Sequence, residues 1–424
     1  MRFTRQLRSI PDNRWTLWIV LTLFLVALLI RSVFLVEVKG VDAALDGDEG
    51  GYHDPAVRLT RGDSLIDAVG SSRPPLLAVQ LALVYSVTWP ETGVGRWYMV
   101  LVSALAAPLV FMVARQLHPK PAAVPVLAGV GWALYPPAIW YSSLILTETM
   151  ASLLAVAGVG LFVWSARARN PWIAGLTGLV WGLAALNRSS FLLFPFFLLA
   201  CQLVLWRARP SVSWGWRQWL AALAALVVVM LPWTARNYVV HRAFIPVETR
   251  AGYGLLITNG TLTNPRIQAG EYFKNPELLR IGRQGGTEAE RDSIMLRLAF
   301  DEIRRNWRLL PRPIVNRAKN FWTTRPDPYD PSWTRNDWIM LFVWAPVLVF
   351  FVTSSFVRSW KENWPALAVV LYVFLVTLAF WGTPRFRFPV DPILITGAAA
   401  GFVETLRWAT SALQRRERHL VPGN

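Results

Sequence analysis

Ten stretches of this chain are apolar over lengths that suit a lipid bilayer, and this repetition limits the fold more than any other feature. They cover residues 15–36, 97–114, 122–139, 150–165, 172–186, 191–206, 219–234, 338–357, 364–381 and 389–403. Inside hydrocarbon every backbone N–H and C=O must be satisfied within the segment, which an apolar helix of about 20 residues does. The expected fold is therefore an all-α integral membrane protein, a bundle of about ten transmembrane helices with outer juxtamembrane helices. Only 16% of residues are charged, against about 25% in soluble domains, and 23 tryptophans suit the membrane interfaces.

Charge sorts the connections. Arg2 to Arg14, Arg115 to Lys120, Arg167 with Arg169, Arg207 to Arg217, Arg358 to Lys361, and Arg415, Arg416 and Arg418 all fall on one side when successive spans alternate in direction. The positive-inside rule makes that side cytoplasmic, with both termini inside and the site facing out of a cell membrane. The basic start and a first run too long for a signal peptide read as an uncleaved anchor. The net charge of +17 is spread over loops rather than gathered on a duplex-binding face, so nucleic acid is not expected as a partner. The single cysteine, Cys201, excludes an internal disulfide, and the four histidines lack metal-ligand spacing.

Three regions follow. Residues 1–235 form an N-terminal transmembrane catalytic module with a first outer loop at 37–96. Residues 236–337 form an extracytoplasmic helical subdomain, and 338–424 the last spans with a basic cytoplasmic tail. The apolar run at 76–89 is short and follows Arg73-Pro74-Pro75, which suits a juxtamembrane or re-entrant helix. Thr287 and Glu290 have capping-box spacing, and Ile294, Leu298 and Ile303 lie near one helical face beyond them.

The span interiors are almost free of ionisable residues, with Asp391 the exception, and a transporter would need such groups near the midplane. Charges gather instead at outer span ends. Asp46, Asp48 and Glu49 follow the first span, and Arg73 lies in the same loop. Glu148 begins the fourth, Arg188 separates the fifth and sixth, Arg236 follows the seventh, and Arg385 precedes the tenth. Each has a plainer reading, because arginines at span ends snorkel and an acid suits a helix N-terminus. Together they suit one reaction. Arginines bind a lipid phosphate by their planar fork of donors, a carboxylate takes the proton of an attacking hydroxyl, and phosphate leaves readily beside cations. That describes sugar transfer from a polyprenyl-phosphate donor to a hydroxyl acceptor.

Several motifs also resemble a known family. They are Asp48-Glu49-x-x-Tyr52, Arg73-Pro74-Pro75-Leu76, Thr147-Glu148, Leu186-Asn187-Arg188, Pro232-Trp233-Thr234-Ala235-Arg236-Asn237-Tyr238 and Pro384-Arg385-Phe386-Arg387-Phe388-Pro389-Val390. Their order is similar to that of the GT-C membrane glycosyltransferases of family 39, the protein O-mannosyltransferase and lipid A aminoarabinose transferase type. The resemblance implies an inverting transferase with Asp48 as base and Glu49 assisting or binding the acceptor. It also implies Arg73 as a lipid-phosphate contact. Glu148 is a second acidic site, and Arg188, Arg236 and Arg385 are further phosphate candidates. Tyr52, His53, Asn237 and Tyr253 are candidates for sugar or acceptor. No cofactor or metal is implied. A flippase of lipid-linked sugars, a ligase using a diphosphate-linked donor and a non-catalytic membrane assembly protein remain as alternatives.

Overall fold

The computed structural model describes residues 14–119, 121–208, 210–330, 332–357 and 360–420. The basic positions expected at 2–13, Lys120, Arg358, Arg415, Arg416 and Arg418 lie outside the described residues and side chains. No strand occurs among the described residues. Helix α1 (Arg14–Phe34) ends in a π-turn and leads to α2 (Gly50–Thr60), α3 (Leu65–Ala68) and the apolar α4 (Leu76–Val87). Next come α5 (Thr92–Leu117), α6 (Ala123–Ala133), α7 (Pro136–Ser142), α8 (Thr147–Ala168), α9 (Pro171–Asn187), α10 (Phe194–Val204) and α11 (Trp216–His241). A run of shorter helices follows: α12 (Ala251–Asn259), α13 (Pro265–Gln268), α14 (Pro276–Gly282), α15 (Glu288–Arg305) and α16 (Pro311–Trp322). The chain returns to long helices in α17 (Arg335–Val357), α18 (Trp360–Ala379), the one-turn α19 (Pro384–Arg387) and α20 (Asp391–Leu420).

The ten apolar runs become eight helices long and apolar enough to cross a membrane, a bent pair, and one shorter helix. The protein is a multi-pass membrane protein. The bent pair is α6 with α7, at 47°. Pro136 holds Tyr135 in an extended conformation, as a residue before proline prefers. Pro136 and Pro137 also lack the N–H groups that would bond to the carbonyls of Trp132 and Ala133, four residues back. Arg31 of α1 supplies the missing donors: Nη1 donates to Ala133 O at 3.0 Å and Nη2 to Trp132 O at 3.3 Å. Arg31 is fully buried, so Asp391 is not alone among ionisable residues within the spans. Asp391 is itself satisfied by Arg387 Nε at 2.9 Å and Tyr135 Oη at 2.8 Å.

At 17 residues, α9 is about 26 Å long, short of a bilayer's hydrocarbon thickness. It survives by packing along α11. Ala174, Gly178 and Gly182 form a stripe of small residues at four-residue spacing, which lets helix backbones meet. A Cβ on Gly178 would lie 1.9 Å from the carbonyl oxygen of Ala222. Gly401 of α20 lets the carbonyl of Phe350 in α17 approach equally closely. The 12-residue α4 does not reach across and packs beside α2, as a juxtamembrane or re-entrant helix would.

Between α11 and α17 the capping box forms as expected. Glu290 N donates to Thr287 Oγ1 at 3.1 Å and Thr287 N to Glu290 Oε2 at 3.0 Å. The deepest face of α15 is Met295 and Ala299, one residue past the expected Ile294 and Leu298. Met295 fits there because Gly282 of α14 has no Cβ to meet it. Met295 and Ala299 pack on Leu256 and Ile257 of α12. Buried Arg317 of α16 ties these helices to the long ones. It donates to Leu378 O and Ala379 O at the end of α18 (3.0 and 3.3 Å), and to Asn259 Oδ1 at 3.0 Å.

Candidate active site

The loop between α1 and α2 is organised around Arg96, a fully buried residue of α5 that sequence reasoning missed because an arginine beside a span end looks like an interfacial anchor. Its Nη1 donates to the carbonyls of Val41 at 2.9 Å and Ala43 at 2.6 Å. Its Nη2 lies 3.5 Å from Glu49 Oε2. Glu49 is 0% exposed and accepts from Ile145 N and Asp46 N, both at 2.9 Å. Glu49 thus holds the loop in place and does not face the cluster described next, which departs from the expectation that it assists catalysis or binds the acceptor. Neighbouring side chains diverge, so the same turn sends Asp48 the other way. Gly47 allows that turn, with φ at 55°, a region glycine enters freely.

Asp48 begins an alternating row of charges. Arg73 Nη2 donates to Asp48 Oδ1 at 2.8 Å, and Arg385 Nη2 to Asp48 Oδ2 at 3.1 Å. Arg385 Nε donates to Glu148 Oε1 at 2.6 Å, and Arg188 Nη1 reaches the same oxygen at 3.3 Å. Five side chains from five places in the chain thus stand in the order Arg73, Asp48, Arg385, Glu148, Arg188, three positive and two negative. Burial alone would raise the Asp48 carboxyl. The Arg73 hydrogen bond and the charges of Arg385 and Arg73 outweigh it and hold the group at about 2. Burial opposes the Arg73 charge, and the hydrogen bond to Asp48 overcomes it, raising that group.

Local structure makes these contacts possible. The Arg73 guanidinium lies flat on Gly51, where a Cβ would sit 2.3 Å from Nε. It also stands 5.1 Å from the ring centroid of the buried Tyr52, a cation–π distance. Arg188 is backed by Phe386 at 4.8 Å, and that ring also stacks on Trp381. Glu148 is 1% exposed, and its Oε2 has no hydrogen-bond partner.

The remaining candidates lie elsewhere. His53 Nδ1 is 2.9 Å from Tyr85 Oη, and burial lowers the ring's pKa below its ordinary value. Arg236 donates to Asn237 Oδ1 at 3.0 Å and Ile66 O at 2.9 Å, and also to Val69 O and Ser71 Oγ. The structure therefore places it at the end of α3 rather than in the row. Asn237 is fully buried, with Nδ2 donating to Ile245 O at 3.0 Å. Tyr253 lies at the start of α12, its ring 5.5 Å from Arg250 and its N–H donating to Asp292. Among the described residues, no group of three or more His, Cys, Asp or Glu side chains is placed to hold a metal ion.

A second missed residue is Glu248, which accepts from Ser189 Oγ beside Arg188. It stands in an irregular segment with no motif around it. Burial raises its carboxyl against that hydrogen bond and the charges of Arg250 and Arg188. Nearby Ser71 joins three parts of the chain. Its N–H donates to Glu288 Oε2 of α15 at 3.0 Å, its Oγ to Asn237 Oδ1 at 3.0 Å, and its carbonyl accepts from Thr249 N at 2.7 Å.

No family profile and no curated protein sequence matches the chain. Solved structures do. The oligosaccharyltransferase AglB of Archaeoglobus fulgidus, in complex with an inhibitory peptide and a dolichol-phosphate, aligns at TM-score 0.57 and 15% identity over 97% of this chain and 53% of that one. The apo form of the Archaeoglobus fulgidus oligosaccharyltransferase aligns at TM-score 0.58 and 12% identity, with the same coverage. ArnT from Cupriavidus metallidurans, bound to undecaprenyl phosphate, aligns at TM-score 0.44 and 13% identity over 92% of this chain and 77% of that one, too slight a likeness to carry a conclusion. This chain spans about half the length of the archaeal protein. What the comparisons establish is the fold: an all-helical membrane bundle like that of the archaeal oligosaccharyltransferase.

Proposed function

We propose that the chain is an inverting glycosyltransferase that moves a sugar from a polyprenyl-phosphate donor to a hydroxyl of a glycan, lipid or protein acceptor. The observation that carries this reading is the row from Arg73 to Arg188, in which the proposed base stands between guanidiniums suited to phosphate. The acceptor O–H attacks the anomeric carbon and its proton passes to Asp48. The bond from that carbon to the phosphate oxygen breaks, and the electron pair leaves with the phosphate beside Arg73, Arg385 and Arg188. At about 2, Asp48 is a weak base while both arginines hold it. A donor phosphate competes for the same N–H groups, so its arrival frees the carboxylate. The site faces away from the cytoplasm, by the charge sorting of the loops. The helices between α11 and α17 cover it and select the acceptor, tied to the Arg73 loop through Ser71 and Glu288.

The test compares wild type with Asp48→Asn in nanodiscs, measuring polyprenyl-phosphate release from a panel of polyprenyl-phosphate sugars with a mixed acceptor extract. Loss of a proton acceptor costs about 100- to 10,000-fold in rate, so release falls at least 100-fold while both proteins still bind donor. Equal release by both would remove Asp48 from the chemistry, and absence of donor binding by wild type would favour a non-catalytic membrane protein.

A further inference from the structure

Glu248 takes no part in the reaction as written above, yet it adjoins the row of charges. The segment that carries it is held at every step. Asn237 Nδ2 donates to Ile245 O at 3.0 Å and Val247 O at 3.2 Å, Thr234 Oγ1 to Pro246 O at 3.1 Å, and Trp233 Nε1 to Val247 O at 2.6 Å. Thr249 N then donates to Ser71 O at 2.7 Å. Val247 and Thr249 are buried to either side, while Glu248 reaches to Ser189. Ser189 directly follows Arg188, which bonds Glu148. Arg188 and Tyr52 both stand within electrostatic reach of Glu248.

The other two carboxylates of the site are each tied to two arginines. Glu248 is instead bonded to a hydroxyl. Held rigidly and paired with a serine whose hydroxyl hydrogen it accepts, it presents carboxylate and serine oxygen lone pairs side by side, acceptors to which sugar hydroxyls donate. In the donor, the sugar ring is bonded directly to the phosphate, so groups adjoining the phosphate-binding arginines face that ring. We infer that Glu248 and Ser189 bind hydroxyls of the donor's sugar and so discriminate between sugars. This rests on the transferase reading and adds to it a residue pair for sugar choice, separate from the arginines that hold phosphate.

The experiment titrates the full chain in nanodiscs with bare undecaprenyl phosphate and with undecaprenyl phosphate carrying mannose, glucose, galactose, N-acetylglucosamine or a pentose. Wild type binds at least one sugar-bearing lipid more tightly than the bare lipid. Glu248→Gln, which keeps the shape, and Ser189→Ala lower that preference about tenfold, the loss expected for one charge-assisted hydrogen bond. Both bind the bare lipid as wild type does, which also shows that they are folded. The inference is overturned if Glu248→Gln keeps the preference, if wild type has none, or if the variants lose the bare lipid too, which would mark a structural role. Failure of wild type to bind even the bare lipid would instead sink the transferase reading.

Discussion

Asp48 and Glu49 are adjacent acids in different surroundings, and the difference lies in what meets each. Glu49 meets two backbone N–H groups and Arg96 in a closed interior. Asp48, with 34% of its side chain exposed, meets two arginines that are themselves partly exposed. One test of this arrangement is Gly51→Ala. The new methyl would stand 2.3 Å from Arg73 Nε and push the guanidinium off Asp48, so affinity for bare polyprenyl phosphate drops about tenfold. Unchanged affinity in that variant would show that Arg73 does not bind phosphate. A second concerns pH. The Asp48 carboxyl is lowered from 3.8 to about 2, so its ion pairs add stability that is fully present above about pH 4 and lost as pH falls through about 2. The difference in melting temperature between wild type and Asp48→Asn should shrink over that window; the partial exposure of the pairs keeps it to a few degrees. Sequence could name both acids but not separate them, because the divergence depends on the turn at Gly47 and on a buried arginine almost fifty residues away.

The helices are joined by two devices, each open to test. Along α9 and α11 the backbones touch at Gly178, so Gly178→Ala forces them apart and costs on the order of 1–3 kcal/mol. Gly175→Ala, whose Cβ would lie 3.9 Å from the Ala221 carbonyl, is the control, and should be neutral or slightly stabilising. Thermal unfolding in detergent separates them; equal melting temperatures would mean that α9 and α11 do not pack this closely. At the α6–α7 bend, Arg31 serves two carbonyls that the prolines deprive of their helical donors, of which Trp132 O also accepts from Tyr135 N. Arg31→Met leaves the Ala133 carbonyl without its donor and therefore destabilises the protein by about 1–3 kcal/mol. The loss should shrink in a Pro136→Ala, Pro137→Ala background, where N–H groups return four residues on. A double-mutant cycle with no coupling would rule the link out.

For the molecule as a whole, the membrane bundle was legible because hydropathy over about 20 residues is a strong signal. The meeting of Asp48, Arg73, Glu148, Arg188 and Arg385 was legible as a set of charges at span ends on one face. Arg236 carried the same signal and stands apart, because an arginine at a span end looks alike whether it faces a ligand or the end of α3. Arg31 and Arg96 escaped notice for a related reason: their partners are mostly main-chain carbonyls, which no residue type marks. The contact between Gly178 and Ala222 has a further consequence, one of timing. These two residues are 44 positions apart in the chain. At about 5–20 residues per second, a ribosome reaches the second some 2–9 seconds after the first. During that interval α9, short and lined with glycine, has α8 to pack on but not yet α11. The closest backbone approach along α9 therefore forms only once α11 has been made.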